Sequence, residues 1–455
     1  MAFFQNKLAD RIVGAVASSS PGAGWTSVAD FPTLILNART ANLPLVLLPG
    51  AYTTTQIDIT TGTGGGNPLV MTGASGSVII QLAAPAAYLM RVNGVSGVSL
   101  EGVIFDGGNQ NLTEANQFAA ILRFSGNITY TVRKCTVRNS PKSGISTDAG
   151  AVGVIRDNWL SSLNYGVSFL DCGGVIENNS ITGCANGGVY VWNGSKYAVK
   201  VNITDNYIQN IASGSGNGQN GNGVSIYRAS SVSVTGNTIY QCALSFIRVN
   251  GGDNCVIQGN KCWSANETGI FVEAPSAGLD TIGGVVSDNI LDTCLTGIIA
   301  VNSGLYGDGV CRRINISNNQ VRNATGSAFL AEGGCVLTGN TAESSAIGIV
   351  LGTNNATSDV AVVGNYVKFC QMGIGYSADS AAKGMLISSN LVSGYVVSSN
   401  PSDPAYARSG AIVSAYYNGA ATYRVYSGAT PNTDYGNATQ TQVGPLTVGM
   451  NAAHN

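Results

Sequence analysis

The chain has 455 residues, more than one compact core usually holds, so its length indicates several domains or one elongated repeat architecture. Only 10% of the residues are charged and 60 are Gly, a composition typical of strands and turns rather than helices. The net charge of −2 argues against nucleic acid as a partner, and no apolar run is long enough to span a membrane.

Residues 1–29 are predicted to form a separate N-terminal segment. Asp10 and Arg11 interrupt its apolar residues, and the run that remains, residues 12–17, is too short for the core of a secretion signal. We therefore expect no signal peptide. Apolar residues at four-residue steps favour a helix that docks onto a tail, baseplate or envelope protein, with a frayed tail as the alternative: Phe4, Leu8, Ile12 and Val16.

The next stretch, "DFPTLILNARTANLPLVLLPGAY" at residues 30–52, predicts a short amphipathic helix followed by a strand. An exposed end of a repeat protein leaves unpaired core, which a terminal element must cover. We expect this helix to act as a cap.

From about residue 130 one phrase recurs, as in "VIRDNWLSS", "VIENNSITG" and "SVTGNTIYQ". Its asparagines, here called the Asn column, are spaced by 21 to 31 residues, a period typical of solenoids. The members of the column are Asn158, Asn179, Asn206, Asn237, Asn260, Asn289, Asn319, Asn340, Asn365 and Asn390. We expect each Asn and its flanking Gly to form a turn in the left-handed backbone region.

Alternating apolar residues around each Asn, and a second phrase such as "GGVYVW" or "TGIFVE" eight or nine residues later, predict at least two strands per repeat. The fold predicted is all-β, a parallel β-helix over residues 30–395, and leucine-rich repeats are disfavoured because their signature is missing. Residues 396–455 lack the repeat phrase and are predicted to be a terminal cap or an intersubunit segment.

The ten cysteines fit this repeat better than they fit a metal site. There is no CxxC motif, and the one histidine, His454, lies at the chain end, so no zinc site and no cofactor are predicted. Four cysteines lie five residues after the Asn column, and we expect them to be small buried residues rather than disulfide partners: Cys184, Cys242, Cys294 and Cys370.

The "PLVLLPGAY" and stacked "GNxI" phrases resemble the pectate-lyase-like right-handed β-helix class, which includes polysaccharide lyases, hydrolases, epimerases and phage tailspikes. Residues 214–260, beginning "GSGNGQNGNGVSIY", resemble more closely a family of bacterial repetitive proteins exported by the twin-arginine route. That similarity covers roughly residues 30–420. It implies the fold and no particular activity, and this chain departs from the family in showing no twin-arginine leader.

A glycine-rich insertion, "SGSGNGQNGNG" at residues 213–223, interrupts the repeat and is predicted to form the wall of a site, with Asn217, Gln219 and Asn220 as its loop residues in that site. Strands next to it would carry outward aromatic and polar side chains suited to a sugar polymer, since pyranose C–H faces pack on rings and hydroxyls need fixed partners. The predicted ligand-binding residues are Tyr190, Trp192, Tyr227, Arg228, Arg248, Asn250, Phe271 and Glu273. The open alternatives are a subunit contact and plain surface.

The sequence predicts recognition of a surface polysaccharide by a phage-type spike or cell-surface repeat protein, acting as a homo-oligomer such as a trimer on a virion or cell surface. A lyase, glycoside hydrolase or uronate epimerase is the alternative. Whether the chain is an enzyme stays open and no catalytic residue is assigned, because Glu273 is the one carboxylate expected on the outward face.

Overall fold

The computed structural model describes residues 12–13, 26–27, 31–62, 66–113, 119–214, 220–276, 278–302, 309–352, 359–376, 385–395, 410–414, 424–425, 446–448 and 452–454. The chain divides into two compact units, which are treated individually below. Unit 1 comprises Met1–Gly194 and Val199–Ser225, and unit 2 comprises Ser195–Ala198 and Ile226–Asn455. No helix in the described ranges has the length and apolar character needed to cross a membrane.

In unit 1 each coil contributes strands to three faces, and equivalent strands of successive coils pair in parallel. The first face holds Ile12–Val13, Leu45–Leu47, Val70–Gly73, Val98–Glu101, Thr129–Arg133, Val152–Arg156, Gly173–Glu177 and Val201–Thr204. The second face holds Thr26–Ser27, Gly50–Thr54, Val78–Leu82, Ile104–Asp106, Thr136–Arg138 and Tyr207–Ile211. The third face holds Ile57–Thr60, Met90–Asn93, Ala120–Ser125 and Ser143–Thr147. Trp159–Leu170 and Ser180–Ala198 run through both the second and third faces.

Unit 2 has the same three faces. Its first face holds Ser233–Thr235, Cys255–Gln258, Thr281–Ser287, Cys311–Ser317, Cys335–Thr338, Ala361–Val363, Met385–Ser388 and Leu446–Val448. Its second face holds Thr238–Cys242, Lys261–Ala265, Ile290–Cys294, Gln320–Ala324, Thr341–Glu343, Tyr366–Lys368, Leu391–Ser393 and Ala452–His454. Its third face holds Ile247–Asn250, Thr268–Ala274, Thr296–Asn302, Ser327–Ala331, Ile347–Leu351, Met372–Tyr376 and Gly410–Ser414; Asn222–Ser230 has residues in both units. The predicted parallel β-helix is confirmed, with three strands per coil.

Alternation of side chains places one residue set inside the coils. Along Ile247–Asn250, for example, Ile247 and Val249 are buried in the core while Arg248 points outward. Because side chains of a strand alternate between its two faces, the apolar positions of every coil stack on those of the coils before and after it. The hydrophobic core is therefore a column inside each unit.

The Asn column forms buried hydrogen-bond ladders. In unit 1 the backbone N–H and Nδ2 of Asn158 both donate to Oδ1 of Asn179, at 3.0 and 2.9 Å, and Asn179 donates to Asn206 in the same way. A second ladder in unit 2 runs from Asn237 to Asn390. Each ladder satisfies polar groups that would otherwise be stranded beside the core.

The left-handed residue of each turn lies one position before the column, which corrects the expectation that the Asn itself takes this conformation. Asp157, Asn178 and Asp288 have φ values of 58°, 52° and 58°. These residues are Asp, Asn, Gly or Ser, types that tolerate a positive φ. A second left-handed position lies four residues after the column, at Ser162, Asn210 and Thr293 among others.

Helix α1, Phe31–Thr40, is the predicted cap helix. It buries Phe31, Ile35 and Ala38. It ends at Thr40, and Asn42 just beyond it has a φ of 55°, typical of the left-handed residue that follows a helix. Burial lowers the pKa of the Arg39 guanidinium, which donates to the carbonyl oxygens of Asn67 and Thr60 at 2.9 and 3.3 Å. These bonds fasten α1 to the first coils of unit 1.

Both termini contribute strands. Ile12–Val13 pairs with Leu45–Val46 where the sequence favoured a helix, and most of residues 1–29 lie outside the described ranges. In the C-terminal segment, Gly410–Ser414, Leu446–Val448 and Ala452–His454 pair in parallel with strands of the preceding coil on all three faces. The coil pattern thus continues beyond residue 395, which the sequence did not indicate. Its proposed domain boundaries stay predictions.

All ten cysteines are buried with free thiols, so the expected inward position of the four column cysteines is confirmed. Burial raises the pKa of Cys184 and Cys294 to about 12, and that of Cys370 to about 11. A thiol whose pKa is this high stays protonated near neutral pH, so these side chains behave as small apolar residues.

Candidate functional site

The predicted ligand-binding residues fall on the third face but belong to different units. Tyr190, Trp192 and Asn220 belong to unit 1. Those in unit 2 are Tyr227, Arg228, Arg248, Asn250, Phe271 and Glu273. Asn217 and Gln219, the other two predicted loop residues, lie outside the described residues.

In unit 1 the predicted aromatic platform is partly covered. Strand register places Tyr190 beside Ser168 and Trp192 beside Leu170, both on the outward side of the third face. Tyr190 is nevertheless only 8% exposed, since the ring of Tyr165 stacks on it with centroids 5.2 Å apart and planes inclined by 29°. The prediction of an exposed ring at Tyr190 is therefore wrong. Trp192 is half-buried.

The two ends of the glycine-rich insertion are held together by Asn186. Its Oδ1 accepts the backbone N–H of Gly214 at 2.8 Å, and its backbone carbonyl accepts that of Gly221 at 2.6 Å. Its Nδ2 donates to Oδ1 of Asn164 at 2.6 Å. The hydroxyl of Tyr165 donates to Oδ1 of Asn220, which is buried.

In unit 2 the outward position of Arg248 is confirmed. Parallel pairing of Ile247–Asn250 with Thr268–Ala274 sets Arg248 beside Phe271 and Asn250 beside Glu273. From sequence alone this strand could also be shifted by one residue, because it has no Gly to mark the register. Burial of Ile247 and Val249 removes that alternative, since a slip would bring Arg248 into the core.

Arg248 is the centre of a polar cluster. Its Nη2 donates to Oε1 of Glu273 at 2.7 Å and its Nε donates to the same oxygen at 3.2 Å. Nε also donates to Oδ1 of Asn250 at 3.2 Å, and the guanidinium carbon lies 4.6 Å from the centre of the Phe271 ring. The side chains of Arg248 and Glu273 are 11% and 14% exposed, so this ion pair is largely shielded from water.

A second carboxylate, which the sequence reading missed, lies beside the same guanidinium. Oε2 of Glu267 is 3.8 Å from Nη1 of Arg248 and accepts the hydroxyl of Ser245 at 3.0 Å. Glu267 stands at the corner immediately before the strand Thr268–Ala274, where an acidic residue usually indicates only a turn. No pattern in the sequence distinguishes it from other turn acids.

Asn250 completes the cluster with an unused donor. The residue is fully buried, its Oδ1 is taken by Arg248, and its Nδ2 has no hydrogen-bond partner. A buried amide donor without an acceptor is costly. The cluster thus offers carboxylate acceptors around one fixed cation, with the Asn250 amide enclosed beside them.

Tyr227 and Arg228 lie in the strand Asn222–Ser230, and both side chains are half-buried. The guanidinium carbon of Arg228 is 5.0 Å from the centre of the Tyr227 ring. Arg228 has a φ of 56°, in the left-handed region, although it lies within this strand. Glu273 is bound to Arg248.

Among the described residues, no group of three His, Cys, Asp or Glu side chains is placed to hold a metal ion. The Arg248 side chain takes part in hydrogen bonds, ion pairing and ring contact. Two carboxylates on one arginine add a possible acid and base.

Comparisons with known proteins address the fold. The chain is similar to the catalytic unit of a GH87 alpha-1,3-glucanase from Streptomyces thermodiastaticus, at 14% identity and a TM-score of 0.51 over 97% of this chain and 70% of that one. It is also similar to an N-terminal fragment of bacteriophage phi29 gene product 12, at 15% identity and a TM-score of 0.52 over 92% and 73% of the two chains. No curated protein matches the sequence.

Identities this low establish shared architecture and nothing about substrates, and the resemblance to the twin-arginine family stays a prediction. The model of the right-handed beta helix region matches residues 75–208 and 194–334, more than half of the chain. The handedness expected from the sequence is thereby confirmed. The chain belongs to the right-handed β-helix family.

Proposed function

We propose that the chain recognises a polysaccharide through the Arg248 cluster, defined as Arg248, Asn250, Glu267, Phe271 and Glu273. The observation that carries the proposal is the doubly flanked guanidinium of Arg248, fixed by Glu273 at 2.7 Å and approached by Glu267 at 3.8 Å. Donors and acceptors held in this way bind hydroxyl groups without paying the entropy of ordering long side chains.

The charge of the cluster favours a neutral glycan. One arginine and two glutamates sum to a net charge of −1, so an acidic sugar would meet repulsion from the carboxylates. Binding of a uronate generally needs an uncommitted cation, whereas Arg248 is already paired. Lyase and epimerase activities on acidic polymers are accordingly disfavoured.

Glycoside hydrolysis is the second candidate, because Glu267 supplies a second carboxylate beside Glu273. Hydrolases use two carboxyl groups, one as an acid and the other as a base or nucleophile. In a hydrolase Glu267, whose side chain is the more exposed of the two at 33%, would be the acid that protonates the leaving group. Glu273, at 14% exposed, would be the base or nucleophile.

The test screens neutral and acidic polysaccharides for binding, and for new reducing or unsaturated ends. Arg248→Met is expected to weaken binding by about tenfold or more, as expected for loss of a charged hydrogen-bond partner. Arg123→Met is the matched control, because Arg123 pairs with Asp148 at 2.8 Å with similar shielding, on the third face of unit 1. Equal effects of the two variants would overturn the proposal.

Product formation separates the two candidates. New reducing ends that disappear in both Glu267→Gln and Glu273→Gln would establish a hydrolase. Binding without products would leave recognition alone. Products that survive both substitutions would remove this cluster from any enzymatic role.

We further propose that the chain works at a virion or cell surface as a homo-oligomer, such as a trimer, docked to a tail, baseplate or envelope protein through residues 1–29. The fold shared with a bacteriophage gene product supports this setting. Light scattering of the purified chain tests the assembly state. A monomer at all concentrations would contradict it.

A further inference from the structure

The second face of unit 2 carries an outward column separate from the Arg248 cluster. Parallel pairing places Tyr240 beside Trp263, Trp263 beside Asp292, and Asp292 beside Arg322. The alternate residues of these strands, Ile239, Cys262, Leu291 and Val321, are fully buried in the core. The column therefore has one outward side chain from each coil, on strands whose opposite side packs in the core.

The two aromatic rings of this column are not packed face to face. Their centroids are 5.8 Å apart and their planes are inclined by 52°, and Trp263 is 40% exposed. Tilted rings also serve packing in this chain, as in the buried pair Phe31 and Tyr52 at 6.1 Å and 45°, so the exposure of Trp263, not the tilt, distinguishes this pair. The exposed ring surface of Trp263 is open to a ligand.

Fixed polar groups continue the column one coil further on. Asp292 accepts Nη2 of Arg322 at 2.9 Å, Nδ2 of Asn323 at 2.8 Å and the hydroxyl of Thr293 at 3.0 Å. Coils repeat at about 4.8 Å, which is close to the width of one pyranose ring. A sugar lying on Trp263 would thus have its edge hydroxyls next to an ordered carboxylate, amide and guanidinium.

Charge along the column limits the class of ligand. Asp292 and Arg322 are followed in the same column by Glu343 and Lys368, which form an ion pair at 2.9 Å. These four side chains sum to zero charge. A column with no cationic excess has no affinity for a phosphate backbone and no preference for anionic sugars.

We propose that Tyr240 and Trp263 form a second saccharide-binding platform, for the pyranose rings of a neutral polysaccharide, with Asp292, Arg322 and Asn323 taking the hydroxyl groups at its edge. The C–H face of the sugar covers the ring of Trp263. This platform is a binding site in its own right and does not depend on the Arg248 cluster.

A matched control is available on the second face of unit 1. Trp159 is 53% exposed, more than Trp263, but its strand neighbours are Thr136 and Ser180, so no second ring stands beside it in the column. If exposure of a tryptophan alone were enough to bind sugar, Trp159 would bind as well as Trp263. A comparison of the Trp159 and Trp263 variants therefore tests whether the neighbouring ring of Tyr240 is needed for binding.

The experiment titrates hexasaccharides of α-1,3-, α-1,4-, β-1,3- and β-1,4-linked glucose, and of mannose, by calorimetry and tryptophan fluorescence. It is done in the Arg248→Met background, which removes the other proposed site. Trp263→Ala and Tyr240→Ala are each expected to weaken binding by about tenfold, and Trp159→Ala by less than about twofold. The fluorescence response to saccharide should disappear with Trp263→Phe.

Three results would overturn the proposal: no probe binds the Arg248→Met protein, Trp263→Ala binds as well as Trp159→Ala, or the fluorescence response survives Trp263→Phe. Failure of the proposed function has a different signature. In that case Arg248→Met binds every probe as tightly as the unaltered chain, whatever happens at Trp263. Circular dichroism of each variant verifies that the strands are intact.

Discussion

Asn289 and Asn319 are joined twice: the backbone N–H and the Nδ2 of Asn289 both donate to Oδ1 of Asn319, at 3.1 and 2.9 Å. Asn289 also accepts from the N–H and Nδ2 of Asn260 and donates to the carbonyl oxygen of Ile257. One fully buried side chain therefore satisfies groups in three successive coils.

Removal of this side chain should be costly. Asn289→Ala leaves the buried donors of Asn260 without an acceptor, and we expect the free energy of unfolding to fall by about 3 kcal/mol. Chemical denaturation followed by circular dichroism measures the change. Asn266→Ala, at an exposed asparagine, is the control and should alter stability by less than about 0.5 kcal/mol. Similar losses for both variants would refute the ladder's role.

A second prediction concerns Gly153, which leaves room for the ring of Tyr130. A Cβ at this position would lie 2.0 Å from Cζ of Tyr130, whose ring is itself stacked on Phe124. Gly153→Ala must displace a buried ring, and we expect a loss of about 2 kcal/mol. Gly62→Ala, where a Cβ meets only the Thr60 hydroxyl at 3.9 Å, should be nearly neutral in the same thermal melt.

Phe369 predicts a stabilising substitution. It occupies the left-handed position after the Asn column with a φ of 55°, although it is bulky and 64% exposed, and equivalent positions hold Ser344 and Gly394. Because Asn tolerates this conformation better, Phe369→Asn should raise the free energy of unfolding by about 1 kcal/mol. Tyr366→Asn, an exposed aromatic in the neighbouring strand, should show no such gain. A lower melting temperature for Phe369→Asn would refute the argument.

The buried thiols predict a loss of stability at alkaline pH. Burial raises the pKa of Cys184 to about 12, well above that of an unfolded thiol near about 8.5. Above about pH 9 the unfolded chain releases this proton and the folded chain retains it, so the free energy of unfolding falls as pH rises.

Cys184→Ala isolates this contribution, because Ala265 and Ala324 occupy equivalent positions in other coils. Between about pH 9 and pH 11 its stability should fall less steeply than that of the unaltered chain, by up to about 1.4 kcal/mol per pH unit. Denaturation curves at several pH values give the two slopes. Identical slopes would show that Cys184 titrates alike in both states.

The fold could be predicted from the sequence, because one buried asparagine in each coil is needed for the hydrogen-bond ladder. The same Asn therefore recurs once per coil along the chain. The strained residue before it was harder to assign, since Asp157, Gly236 and Ser389 all adopt the same positive φ. Strand alternation predicted the outward position of Arg248, but the burial of Ile247 and Val249 was needed to fix the register.

The candidate site was harder to predict from the sequence, because it is formed by side chains from different coils. Tyr165 covers Tyr190 from 25 residues away, and the spacing between coils varies too much to align such pairs beforehand. Glu267 lies beside Arg248 because the chain turns immediately before the strand Thr268–Ala274, and no residue pattern in the sequence predicts this position. Trp263 was not predicted, because it lies on the second face whereas the predicted ligand-binding strands belong to the third face.

The asparagine ladder of unit 2 also has a direction. From Asn237 to Asn365 each asparagine donates its backbone N–H and one Nδ2 hydrogen to Oδ1 of the next asparagine toward the C-terminus, the last acceptor being Asn390. The other Nδ2 hydrogen, as at Asn260 and Asn289, goes to a carbonyl oxygen of the preceding coil. A coil inserted in the reverse direction would place two Asn Oδ1 acceptors next to each other. A coil inserted in the same direction finds an acceptor on one side and donors on the other. For this ladder alone, removing or adding one complete coil would therefore leave the asparagine bonds between the other coils in register.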